Sequence, residues 1–204
     1  MPIHYPNGKP YQAKAQSSRE PVNYGGRGMT LEDELNQSNQ YYRQTQQAVV
    51  YKKPTPLQIV KVDYPARSQA VIREAYFKTP STTDYNGVYR GYYLDFDAKE
   101  TKNKRSFPLK NFHAHQIAHL TACLAQGGIC FALIRFVSLE RLFIYPASDL
   151  KRCWDEAQNA GRKSIPLSEI EAHGIELHPK LQPLIPYLEG VDQLIQMKRG
   201  NHHA

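Results

Sequence analysis

Residues 129–137 read ICFALIRFV, an apolar run broken only by Arg135. It is far shorter than the roughly 18 residues a membrane span needs. Flanked by Gly127 and Gly128, it instead suits a strand buried on both faces, and such a strand lies inside a sheet with cover on each side. Residues 141–145 read as its hairpin partner. Around this pair the hydrophobic periods alternate. A helix is expected from Thr30, with Asp33 as capping-box partner and Leu31, Leu35 and Tyr42 at roughly helical spacing, ending near Gln47. Strands are expected over 49–51 and 57–62, a strand or short helix over 70–78, and strands over 82–89 and 92–100. A basic loop over 101–110 and a helix over 113–126 follow. Beyond the apolar run, Ser148 and Ser168 read as caps of further helices, the first through Gln158, and Pro186 opens a last one reaching about Met197. This order predicts an α/β sandwich with a central mixed β-sheet flanked by helices.

The chain divides by composition. Residues 1–28 are rich in Pro, Gly, Ser, Gln and Lys and read as a flexible basic arm. Residues 29–200 then form one folded domain, carrying a basic, stalk-like segment over about 57–80. Cys123, Cys130 and Cys153 lack paired spacing, so they suggest reduced core residues rather than disulfides or a zinc site, and Trp154 reads as core. No apolar stretch suggests a membrane anchor or a secretory signal, so a cytoplasmic protein is expected.

Net charge is +7, and 19 Lys/Arg against 12 Asp/Glu in residues 1–150 account for all of it, since residues 151–204 hold seven of each. A polarised basic balance with 14 tyrosines points toward a polyanion such as DNA. Lys61, Arg67, Arg73 and Lys78 in the stalk-like segment, with Lys102 and Lys104 in the basic loop, are the candidate phosphate contacts.

Residues 92–100 read YYLDFDAKE. On a strand, Leu94, Phe96 and Ala98 share one face, while Asp95, Asp97 and Lys99 share the other. A turn at Arg90-Gly91 would set Asp84 opposite Asp97 and Thr82 opposite Lys99, whereas a turn at Asn86-Gly87 would set Asp84 opposite Tyr89. In the first register two carboxylates crowd together, an arrangement relieved by a hard divalent cation with oxygen ligands. Lys99 would then steer the attacking water or stabilise charge on a phosphate. The alternative is an ordinary solvated sheet face.

The spacing of Asp84 and Asp97-Ala98-Lys99 resembles the PD-(D/E)xK nuclease superfamily. The surrounding words are more specific: YPNGK at 5–9, RGM at 27–29, KPTP at 53–56, STTDYNG at 81–87, KETKNK at 99–104 and NFHAHQ at 111–116. Together they resemble the RecU-type Holliday junction resolvases over roughly residues 3–165. The resemblance implies a restriction-endonuclease-like sandwich, with 29–200 as its nuclease domain. It also implies a homodimer that resolves four-way junctions by paired Mg²⁺-dependent nicks, with Mn²⁺ as a substitute, in recombination and repair. By the same resemblance Thr82, Asp84, Asp97 and Gln116 surround the metal and Lys99 is the transition-state stabiliser. Branch-migration helicases and strand-exchange recombinases are the implied protein partners. The family usually has Glu where this chain has Asp97, whose reach is one methylene shorter. The last third of the chain carries none of the matching words.

Other residues read less specifically. Glu32 stands where the superfamily often adds an acid, and equally suits the first turn of a helix. Gln116 on spacing alone would be an exposed helical residue, and His113, His115 and His119 read as surface or DNA-facing. Two rival functions use the same residues: a non-catalytic module that binds and anneals DNA strands, and a restriction-like enzyme cutting linear duplex. Replacing Asp84 separates the first, and comparing junction with linear substrate separates the second.

Overall fold

A computed structural model describes residues 29–63, 71–78 and 81–201. The arm expected over 1–28, and Arg67, lie outside the described residues. In chain order the principal elements are α1 (Leu31–Gln44), β1 (Val49–Lys52), β2 (Leu57–Asp63), β3 (Val71–Phe77), β4 (Tyr85–Tyr89), β5 (Tyr92–Thr101), β6 (Ser106–Pro108), α2 (Ala114–Ala125), β7 (Ile129–Phe136), β8 (Arg141–Pro146), α3 (Ala147–Gln158), β9 (Ser164–Pro166), α4 (Leu167–His173), β10 (Ile175–Leu177) and α5 (Tyr187–Asn201).

Six strands form the central sheet in the order β1-β4-β5-β7-β8-β10. β5 and β7 run parallel, joined through α2, and the other neighbours are antiparallel, so the sheet is mixed as expected. Alternation along β7 splits its side chains between two cores. Ile129, Phe131 and Leu133 pack with Leu94, Phe96, Leu35 of α1 and Leu188 and Val191 of α5. Cys130, Ala132 and Ile134 pack with Ile117 and Leu120 of α2 and Leu150 of α3. The run is therefore buried on both faces, because helices cover both. Tyr85, Phe96 and Phe131 stack across three adjacent strands at centroid spacings of 5.0 and 4.7 Å, which aligns β4 and β5 laterally.

The hairpin register follows Arg90-Gly91. Tyr85 pairs with Phe96, Asn86 with Asp95 and Gly87 with Leu94, and the turn takes φ +48° at Arg90 and φ +79° at Gly91, as a two-residue primed turn requires. Gly87 serves another purpose: a Cβ there would stand 2.1 Å from the Val49 carbonyl oxygen and 2.7 Å from Val50 Cα. Its lack of a side chain lets β1 close on β4. The ladder stops at Tyr85, so Thr82 and Lys99 are not paired as strand partners.

α1 opens on Thr30 with the reciprocal capping box to Asp33. It closes at Gln44, before the expected Gln47, because Gln46 turns with φ +56° into β1. The segment over 71–77 is a strand, β3, antiparallel to β2 with a bulge, in a sheet separate from the main one. Leu57, Ile59, Val60, Ile72, Tyr76 and Phe77 of this hairpin are all more than half exposed.

Three expectations are corrected. Residues 101–110 are not simply a loop: β6 pairs with β9, and Phe107 and Leu109 are buried in the second core. Ser148 and Ser168 do not cap α3 and α4, which start one residue earlier, directly after Pro146 and Pro166. Those prolines lack an N–H, so they end the preceding strand without breaking a ladder bond. Cys123 is partly exposed rather than core, and Trp154 is only partly buried against the second core.

Candidate active site

β5 carries Asp97 and Lys99 on one face, and the segment leading into β4 brings Asp84 beside them. Asp97 is fully buried. Lys99 Nζ lies 2.9 Å from Asp97 Oδ1 and 3.5 Å from Asp84 Oδ2. Asp97 Oδ1 also accepts from the Ala98 N–H at 3.0 Å. Asp97 Oδ2 is buried with no hydrogen-bond partner among the described residues.

Electrostatics divide the two acids. Burial, reinforced by the neighbouring Asp84 carboxyl, pushes Asp97 up to about 7 despite the nearby Lys99. At Asp84 partial burial acts upward, but the adjacent Asp97 carboxyl and the charge of Lys99 outweigh it and hold the carboxyl below its usual range. One carboxyl is thus held low while its neighbour is pushed up, as happens when two crowded acids cannot both ionise freely.

Gln116 corrects its spacing-based reading. It is 4% exposed, because its Oε1 turns back to accept the His113 N–H at 3.0 Å and cap α2. Thr82 is half-buried, its hydroxyl donating to the Thr83 carbonyl at 3.2 Å. His115 is half-buried rather than surface-facing, stacks on His113 at 5.4 Å, and is biased toward its neutral form by burial, His113 and Lys99. Glu32 is exposed and pairs with Lys52 at 2.5 Å. Lys61, Arg73, Lys78, Lys102 and Lys104 are all exposed, with Arg73 held 2.6 Å from Asp63.

Asp95 is the residue whose part the sequence reading missed. It shares the face of Asp97 and Lys99 but is fully buried, receiving Lys53 Nζ at 2.9 Å, Tyr93 OH at 2.7 Å and the Thr83 hydroxyl, with His119 Nε2 at 3.0 Å. His119 is thus an interior contact rather than a DNA-facing one. The donor atoms of Asp95, His119 and Cys123 lie within 4.8 Å of one another, a spacing that suits a cation. The Lys53 ammonium already sits on the same Asp95 oxygen, and we read the group as a hydrogen-bonded ion pair. The available signal was Lys53 itself, one of the basic residues flanking the prolines at 54 and 56.

A family model described as "RecU: Recombination protein U" matches residues 26–193. The chain belongs to the RecU family. A relative in Lacticaseibacillus casei (strain BL23), named "Holliday junction resolvase RecU", is 69% identical over 205 residues, covering 98% of this chain and 99% of that protein. Another of the same name, in Latilactobacillus sakei subsp. sakei (strain 23K), is 62% identical over 211 residues, covering 100% and 99%. Among solved structures, Archaeoglobus fulgidus Hjc, a Holliday junction resolvase from an archaeal hyperthermophile, aligns with a TM-score of 0.38 and 12% identity over 65% of this chain and 85% of that one. The RecU family match extends past residue 165 into α5, beyond the reach of the sequence words.

Proposed function

We propose that the protein is a Holliday junction resolvase, an endonuclease that hydrolyses phosphodiesters at four-way DNA junctions with Mg²⁺, and that Asp84, Asp97, Thr82 and Gln116 hold the ion. The observation that carries this reading is the orphaned Asp97 Oδ2, buried beside a second carboxylate and an ammonium. An all-oxygen donor set suits a hard cation, and Gln116 Oε1 retains a free lone pair while it caps α2. When bound, Mg²⁺ supplies Lewis acidity toward the scissile phosphodiester.

The chain's own residues supply the rest. Asp84 and Asp97 fix the seat. Lys99, whose Nζ sits between them, presents its positive charge where negative charge builds on the phosphate. The exposed Lys61, Lys78, Lys102 and Lys104 engage backbone phosphates without reading bases. Two cuts on symmetry-related strands need two related centres, so the acting unit is a homodimer. The exposed Val49 and Tyr51 on edge strand β1 are consistent with a subunit contact. Mn²⁺ substitutes for Mg²⁺, and the protein works in the cytoplasm with branch-migration and strand-exchange proteins.

The test compares cleavage of a mobile four-way junction and the equivalent linear duplex in Mg²⁺, with Asp84→Ala alongside. We expect the junction to be cut preferentially, and Asp84→Ala to stop nicking while binding the junction in Ca²⁺. Equal cutting of both substrates would refute junction selectivity, and full activity in Asp84→Ala would refute the site.

A further inference from the structure

The β2–β3 hairpin leaves the body after Lys53 and returns through Thr82, Thr83 and Asp84. Both legs meet at one buried atom group. Lys53 Nζ donates to Asp95 Oδ2 at 2.9 Å and to Thr83 Oγ1 at 3.0 Å, and the Thr83 hydroxyl in turn donates to Asp95 Oδ1. The Lys53 backbone N–H also donates to the Asp84 carbonyl at 2.7 Å. Asp95 and Thr83 are buried, so water does not compete for these bonds.

We propose that Asp95 and Lys53 are positioning residues that clamp the two legs of the hairpin to β5 and thereby place the Asp84 carboxylate for its divalent cation. This rests on the reading of Asp84 as a metal ligand. Asp84 stands outside the β4–β5 ladder, so pairing with β5 does not hold it, and only the Lys53 N–H extends the β1–β4 register to its carbonyl. Its backbone is held by Lys53, and the side chain of the residue before it is held by Asp95. Tyr93 OH donates to the same Asp95 Oδ2, and His119 Nε2 lies 3.0 Å from it, tying the group to α2.

The test measures Mn²⁺ binding to the full chain by calorimetry, without DNA, and the Mg²⁺ dependence of junction cleavage. Asp95→Asn keeps the shape and removes the charge. Lys53→Met with Asp95→Asn removes both charges, so neither is left buried alone. Lys53→Arg keeps the cation. In the first two variants we expect Mn²⁺ affinity to fall by about 10-fold and half-saturating Mg²⁺ to rise by a similar factor, the usual scale for groups that orient a metal ligand. The rate at saturating Mg²⁺ should stay within about 3-fold of the parent, and Lys53→Arg should recover most of the affinity. Parental Mn²⁺ affinity in a cooperatively folded double variant would overturn the proposal, as would an unrescued loss in Lys53→Arg. Should the charge variants fail to fold, Thr83→Val removes only the hydroxyl, and parental affinity there would overturn it equally. If the parent and Asp84→Ala bind Mn²⁺ alike, the metal-site reading fails instead, and the two failures are distinguishable.

Discussion

Lys99 Nζ lies 2.9 Å from Asp97 Oδ1, two positions away on the same strand. The contact follows from the period of a β-strand, which returns every second side chain to one face. It joins the ammonium expected to act on phosphate to a fully buried carboxylate.

Removing that ammonium should separate binding from chemistry. Lys99→Met is expected to cut the junction-cleavage rate by roughly 10²–10³-fold, as loss of one stabilising donor does. Mn²⁺ binding at pH 8 should persist, measured by calorimetry. Loss of metal binding without loss of rate at saturating metal would assign Lys99 to the seat rather than the reaction.

Metal affinity should depend on pH through Asp97. Its carboxyl, pushed up to about 7 by burial and Asp84, must lose its proton before the ion binds. Affinity is therefore expected to be flat above that value and to fall about 10-fold per pH unit just below it, with one proton released per ion. Asp84, held low, contributes no step in this range. Calorimetry in buffers of different ionisation enthalpy counts the proton.

The same crowding costs stability. A carboxyl whose folded pKa exceeds its unfolded value of 3.8 folds best when protonated, and that advantage is lost as pH rises toward the folded pKa. In metal-free buffer Asp97→Asn should raise Tm at pH 8 by about 4 °C, the shift that about 1–2 kcal/mol produces at this chain length. The gain should vanish below pH 4, where the parent residue is neutral in both states. A destabilised variant at pH 8 would contradict the assigned crowding.

The exposed cations should show in salt dependence. Lys61→Ala and Lys78→Ala are each expected to reduce the slope of log K against log salt by about 0.9 if each contacts one phosphate. Arg73→Ala should change it less, because Asp63 already neutralises that side chain at 2.6 Å. Fluorescence anisotropy of a junction in Ca²⁺ across a salt series measures all three.

How far the site was legible varies by residue. Asp97 and Lys99 follow from the alternation in YYLDFDAKE, and the Asp84 position from the Arg90-Gly91 register, which the Asn86-Gly87 dipeptide had rivalled. Gln116 was legible only by resemblance, because its capping bond to His113 depends on where α2 begins. Asp95 was placed on the correct face, yet its neutralisation by Lys53, 42 residues earlier in the chain, carries no local signature. The C-terminal third shows the same division: its helices were legible, but not that Tyr187 closes the first core and donates to Asn39 at 2.6 Å.

Sequence alone determined the periods: which segments are strands or helices, which faces are apolar, and which acids stand in a row. Those are short-range properties, set by side-chain alternation and backbone sterics within a few residues. Tertiary structure decided which carboxylate would have both oxygens partnered and which would be left with one orphaned. Hydrogen-bond partnership is a property of the whole packed chain, and it separates Asp95 from Asp97 although both are buried and alternate onto one face of β5.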